Sequence, residues 1–147
     1  MTPAERFALL AGFVLLASAV GLTWRLRTGL VRSTKGRVKV DLSDFGITKA
    51  GKSPTGFGQR VTFVQLSSQF CSQCPPTARY LSDLAAKTKG AIHYEFDITD
   101  RLDLAKKFGV LQTPTTLVVD RNGFVKSRIG GTPNKQSVID EIGNYQI

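Results

Sequence analysis

Two cysteines, Cys71 and Cys74, are the only thiols in a chain of 147 residues, and they stand three apart in Phe70-Cys71-Ser72-Gln73-Cys74. That spacing brings two sulfurs within bonding reach across one helical turn. The pair follows a β-branched run and precedes an amphipathic one, which places it between a strand and the start of a helix. Unpaired N–H groups and the macrodipole at a helix N-terminus favour an anion. A thiolate held there is the form that attacks disulfides. The chemistry that follows is exchange: Cys71 attacks a substrate disulfide, and Cys74 then attacks the mixed disulfide and releases the substrate. Two plainer readings compete. Half a zinc site needs four ligands, and His93 is the only histidine to add, so no metal is expected. An inert structural disulfide is the other, against which the exposed helix-start position argues.

The elements that must position this pair are legible as an alternation. RVTFVQLS (60–67) is a buried strand by its β-branched and aromatic content. From Cys74 to Lys89, Tyr80, Leu81, Leu84 and Ala85 recur at helical spacing, and Gly90 stops the helix. AIHYEF (91–96) is the next strand. Asp100 is expected to cap a short helix with Leu102, Leu104, Ala105 and Phe108 inward, ended by Gly109. Asp97 is assigned to the same cap. TTLVVD (115–120) and FVKSRI (124–129) flank Arg121-Asn122-Gly123, a hairpin signal because Asn-Gly tolerates positive φ. Asn134 caps a last helix running to Tyr145. Upstream, RVKVDL (37–42) alternates as a half-buried strand does, and 46–59 reads as loop. The order describes an α/β fold, a mixed central sheet with helices on both faces. His93 reads as an ordinary sheet residue and Lys106-Lys107 as a solvated helix face.

The N-terminal residues differ in kind. Residues 7–24, FALLAGFVLLASAVGLTW, carry no charge, and as a helix they span about 27 Å, close to a bilayer core. Trp24 ends the run, where an indole suits the lipid–water interface. Arg25, Arg27, Arg32, Lys35, Arg37 and Lys39 follow with no acid before Asp41. Of the formal charge of +9, residues 40–147 contribute about +3, so the globular part has little basic excess and nucleic-acid binding is not expected. Three readings of the leader stay open: an uncleaved anchor, a signal peptide cut near Ala17-Ser18-Ala19, and a buried core helix. The apolar run continues past the cleavage pattern, residues 1–6 are barely positive, and the strong positive charge lies on the wrong side for export, all of which favour the anchor. The basic cluster then predicts a cell-membrane protein, single-pass, with its domain cytoplasmic; an exported domain is the alternative. Residues 1–6 are thus a tail, 7–24 a transmembrane anchor, 25–59 a basic juxtamembrane linker with one candidate strand, and 60–147 the globular domain.

From Arg60 to Tyr145 the chain resembles thioredoxin in motif order and in strand–helix order. Thr113-Pro114 follows Phe108-Gly109-Val110 and precedes the TTLVVD strand, the place where that family has a cis proline beside its CxxC. The resemblance implies a thioredoxin-like fold preceded by one transmembrane helix. It makes Cys71 and Cys74 catalytic, and it places Phe70, Ser72, Gln73, Thr113 and Pro114 at the substrate. It also matches Gly130 or Gly131 to the small residue near the site after the hairpin. Departures stand beside the likeness. Phe-Cys-Ser-Gln-Cys replaces Trp-Cys-Gly-Pro-Cys, and Gln65 stands for the buried Asp thought to assist proton transfer at the second Cys. Pro75 and Pro76 must occupy the first helical turn, where donors are least needed, and Arg79 stands where the family has a proline.

The activity implied is a membrane-anchored thiol–disulfide oxidoreductase of the protein-disulfide reductase type, acting on protein disulfides without a bound cofactor. It draws electrons from a thioredoxin-reductase-type flavoenzyme or, if exported, from a transmembrane thiol donor. Two alternatives remain: a redox-inactive thioredoxin-fold module that binds a membrane partner, and a specialised exported thiol reductase for cytochrome maturation.

Overall fold

The computed structural model describes residues 2–34, 38–46 and 56–145. Its first element is α1, Pro3–Arg27. Thr2 and Glu5 close a capping box: Glu5 N–H donates to Thr2 Oγ1 (3.3 Å) and Thr2 N–H donates to Glu5 Oε2 (2.8 Å). Over Pro3–Arg25 the mean hydropathy is 2.1, and none of the apolar window is covered by the rest of the protein. That exposure removes the core-helix reading.

Among the described residues five strands make one sheet: β1 Val31–Ser33, β2 Val61–Ser67, β3 Ala91–Asp97, β4 Thr115–Val119 and β5 Val125–Gly130. Their order is β1-β5-β4-β2-β3, with β2 and β3 parallel and the other pairs antiparallel. The β2–β3 crossover is α2, Cys74–Lys87; α3 (Leu102–Lys107) precedes β4 and α4 (Lys135–Gly143) follows β5. Both faces are covered, so β2 and β4 are buried throughout. Val61, Phe63, Val118 and Ile129 meet Leu81 and Ala85 of α2 and Val138 and Ile142 of α4. Val64, Leu66, Leu117 and Val119 meet Leu42, Phe57, Leu104 and Phe108 on the other face.

Three expectations need correction. The first strand lies at Val31–Ser33, not at 37–42, where Lys39 makes only an isolated bridge to Phe124 and Arg37 lies outside the described residues. Val40 and Leu42 are buried as the alternation requires, but Asp41 accepts from Ser43 N–H (2.9 Å) and turns the chain into a 3-10 helix, Leu42–Phe45, which ends the pairing. Second, Asp100 does not cap α3. Arg101 occupies the N-cap position with no side-chain capping bond, and Asp97 is spent on Thr99 N–H (2.8 Å). Third, Leu102 is 70% exposed, because Leu104, Ala105 and Phe108 alone form the inward stripe. Asn134 caps α4 by accepting from Ser137 N–H, as expected. Of the expected 46–59 loop, residues 47–55 lie outside the described residues, and Phe57 is buried in the core.

Candidate active site

The site gathers at one end of the sheet: the C-terminal end of β2, the start of β4, the end of β5 and the start of α2. Cys71 and Cys74 form a disulfide with Cα atoms 5.4 Å apart. Cys71 sits in the turn before α2 and is partly exposed, whereas Cys74 opens the helix and is buried. Cys71 N–H donates to Ser68 O (3.1 Å) and Cys74 N–H donates to Cys71 O (3.2 Å), which ties the turn to the end of β2. Pro75 and Pro76 fill the first helical turn, and Thr77 N–H bonds back to Gln73 O. Fewer free donors therefore face Cys71 than at an ordinary helix start. Ser72, Gln73 and Arg79 are exposed, and Phe70 projects into solvent at 88% exposure. Its loop is held by Gln69 N–H donating to Thr99 Oγ1 (3.1 Å).

The Thr113–Pro114 peptide is cis. Thr113 is half-buried and Pro114 buried. Two contacts fix this loop against the cysteine side. Gly131 N–H donates to Pro114 O (2.8 Å), and Thr132 Oγ1 donates to Gln73 Oε1 (3.4 Å). Gly131, at φ 81°, is thus the small residue beside the site, with Gly130 pairing to Thr115 next to it. Arg128 donates to the carbonyls of Gly109 (2.7 Å) and Phe108, which pins the segment leading to Leu111. Leu111 is 98% exposed, a second apolar side chain on the rim that the sequence alone did not single out.

Gln65 lies beneath the disulfide, fully buried. Its amide Nε2 donates to Cys74 O (3.0 Å), Ser67 Oγ (2.9 Å) and Glu95 Oε1 (3.2 Å), and Ser67 Oγ donates to the same Glu95 oxygen (2.7 Å). Glu95 and Thr116 are the cross-strand partners of Gln65, so all three share the face under α2. Gln65 Oε1, Thr77 Oγ1 and Thr116 Oγ1 are buried without a hydrogen-bond partner among the described residues. The sequence reading missed this cluster, and its one signal was two polar residues, Gln65 and Ser67, in an otherwise buried strand. His93 lies two residues before Glu95; burial lowers its pKa, and the Glu95 charge opposes that shift.

Solved structures share the fold. Fasciola hepatica thioredoxin superposes with a TM-score of 0.51 at 21% identity, over 60% of this chain and 84% of that one. Spinach chloroplast thioredoxin f (short form) gives 0.50 at 22% identity, over 58% and 76%. Oxidised mitochondrial thioredoxin 3 of Saccharomyces cerevisiae gives 0.50 at 17% identity, over 58% and 79%. The fold is thioredoxin-like. No family model and no curated protein sequence matches the chain. Within the thioredoxin-like fold, the CxxC disulfide lies at the start of α2, the Thr113–Pro114 peptide is cis, and position 65 holds an amide.

Proposed function

We propose that this chain is a membrane-anchored thiol–disulfide oxidoreductase of the protein-disulfide reductase type. The observation that carries the reading is the Cys71–Cys74 disulfide at the start of α2, on the same sheet end as the cis Thr113–Pro114 peptide. The unequal exposure of the cysteines supports distinct roles for them. Starting from the dithiol, the accessible Cys71 thiolate attacks a substrate disulfide and displaces one substrate thiol. Buried Cys74 gives up its proton, attacks Cys71 in the mixed disulfide and displaces the second substrate thiol. Two electrons pass to the substrate, and the Cys71–Cys74 disulfide remains. Phe70, Ser72, Gln73, Thr113 and Pro114 form the substrate-facing rim. A flavoenzyme of the thioredoxin-reductase type, or a transmembrane thiol donor, recharges the pair. One of the similar structures is itself of a complex of ferredoxin:thioredoxin reductase with thioredoxin f2, which supports a redox partner in general.

In this reading residues 7–24 span the membrane, 1–6 are a tail, and 25–59 connect to the domain of 60–147, although β1 already belongs to the sheet. The basic cluster after Trp24 favours a cytoplasmic domain. The test is insulin reduction by the full chain in detergent, with Cys71→Ser as control. A rate that depends on Cys71 supports the enzyme; equal rates would refute a general protein-disulfide reductase. A membrane-impermeant maleimide that labels the reduced cysteines only after lysis supports the cytoplasmic side, and labelling of intact cells would refute it.

A further inference from the structure

The route by which α1 joins the sheet is set by register. β1 begins at Val31, which pairs with Ile129; Ile129 pairs with Thr116, and Thr116 with Gln65. The chain therefore enters the sheet at the end that carries Cys71, Cys74 and Pro114. The far end carries the Asn122 turn and the Gly90 turn. Only Thr28, Gly29 and Leu30 separate α1 from β1, a reach of about 10 Å at full extension.

This link is also bound. Gly29 N–H donates to Gly130 O (2.8 Å), and Asn134 N–H donates to Gly29 O (2.9 Å). Gly29 has φ 79°, and a Cβ there would lie 2.2 Å from Thr132 O, so the backbones meet where no side chain fits. The segment it grips, Gly130–Thr132, is the one bonded to Pro114 and Gln73. Trp24 and Arg27 of α1 line one groove with Leu111 and Gln112 of the cis-proline loop. Exposed Phe70 and Leu111 and exposed Arg25, Arg27 and Arg32 are on the described surface of this pole. Apolar tips beside cations match a headgroup zone containing anionic lipid.

We infer that the disulfide pole faces the bilayer that α1 enters, with Phe70 and Leu111 against the headgroup zone. The substrate disulfides are then those of membrane proteins at headgroup level, because the short, bound link keeps the site from swinging outward. This inference rests on α1 being an uncleaved anchor, which part of the experiment checks separately.

Bimane is attached to Cys71 in the full-length Cys74→Ser chain. A second chain carries it at Asn122→Cys in a Cys71→Ser, Cys74→Ser background; Asn122 is exposed at the far pole. The poles are separated by β2, whose seven residues extend about 23 Å. Each chain is reconstituted into phosphatidylcholine–phosphatidylglycerol vesicles holding headgroup spin-labelled lipid in both leaflets. The expected result is flotation of both chains, with quenching several-fold stronger at Cys71 than at Asn122→Cys. A flexible Gly/Ser insertion after Thr28 is expected to erase most of that difference. Equal quenching in floating chains, or stronger quenching at Asn122→Cys, overturns the orientation while leaving the anchor and the insulin activity standing. Chains that do not float overturn the anchor, and the orientation with it. Insulin turnover by the detergent-solubilised native chain reports the oxidoreductase reading independently of both.

Discussion

Replacing Gln65 by Asp puts an acid where the thioredoxin resemblance implies one, yet this structure predicts damage rather than repair. The Gln65 amide supplies two hydrogens to three acceptors: Cys74 O, Ser67 Oγ and Glu95 Oε1. A protonated Asp offers one hydrogen on a shorter arm, and an ionised Asp offers none. Leaving a buried acceptor unpaired costs about 1–3 kcal/mol. Ionisation adds a second cost, because the site is fully buried and Glu95 is the neighbouring acid. A rise of about three units in the folded-state pKa, within the range for buried carboxyls, corresponds to about 4 kcal/mol once the unfolded Asp is ionised. The unfolded chain releases its proton first, so stability falls as pH rises from about 4 through the raised folded-state value. Gln65→Leu loses the same hydrogens but gains no titrating group. Melting temperatures of both variants and the native chain between pH 5 and pH 8 read the difference. Gln65→Asp is expected to fall further below Gln65→Leu at pH 8 by more than about 10 °C, at about 4–8 °C per kcal/mol for a domain of this size. Parallel pH curves for the two variants would refute the reasoning, and so would an Asp variant as stable as the native chain at pH 8.

Three further outcomes follow from the same structure. His93 is half-buried with its pKa lowered chiefly by burial, so the unfolded chain binds the proton first. Stability is complete above about pH 6.5 and lost as pH falls through it, and His93→Phe should flatten the melting-temperature curve between pH 7 and pH 5. Phe70, 88% exposed, contributes nothing to the core; half-covering it with substrate is worth about 1 kcal/mol. Phe70→Ser should therefore raise KM for insulin about fivefold with kcat for a small aromatic disulfide unchanged, and an unchanged insulin KM would remove Phe70 from the rim. Gly29→Ala meets Thr132 O at 2.2 Å in a positive-φ position, a strain of about 1–3 kcal/mol. It should speed amide exchange in Val31–Ser33 first, and unchanged exchange there would show that the link tolerates a side chain.

Local patterns revealed most of the elements because each depends on short-range chemistry. The β-branched and aromatic run of β2, the Asn-Gly turn before β5 and the Asn134 cap are written in adjacent residues, and the structure has all three. The errors arose where local signals competed. RVKVDL has a strand's pattern, but Asp41 bonds its own neighbours and takes the backbone out of the ladder. Asp100 has a cap's identity, but Asp97 and Thr99 set the turn that decides where α3 begins. Val31–Ser33 is three residues long, too short for periodicity to mark.

The sequence by itself determined the CxxC pair, its place between strand and helix, the Thr-Pro loop and the apolar leader, because each is a matter of residue identity at fixed spacing. Only the tertiary structure decided that Glu95 and Thr116 flank Gln65, since strand register joins residues about thirty and fifty positions apart and leaves no mark in either segment. It also decided that the leader enters at the disulfide end of the sheet. That follows from β1 pairing antiparallel to β5, a contact between residues nearly a hundred positions apart that depends on Gly29 and Gly130 meeting backbone to backbone.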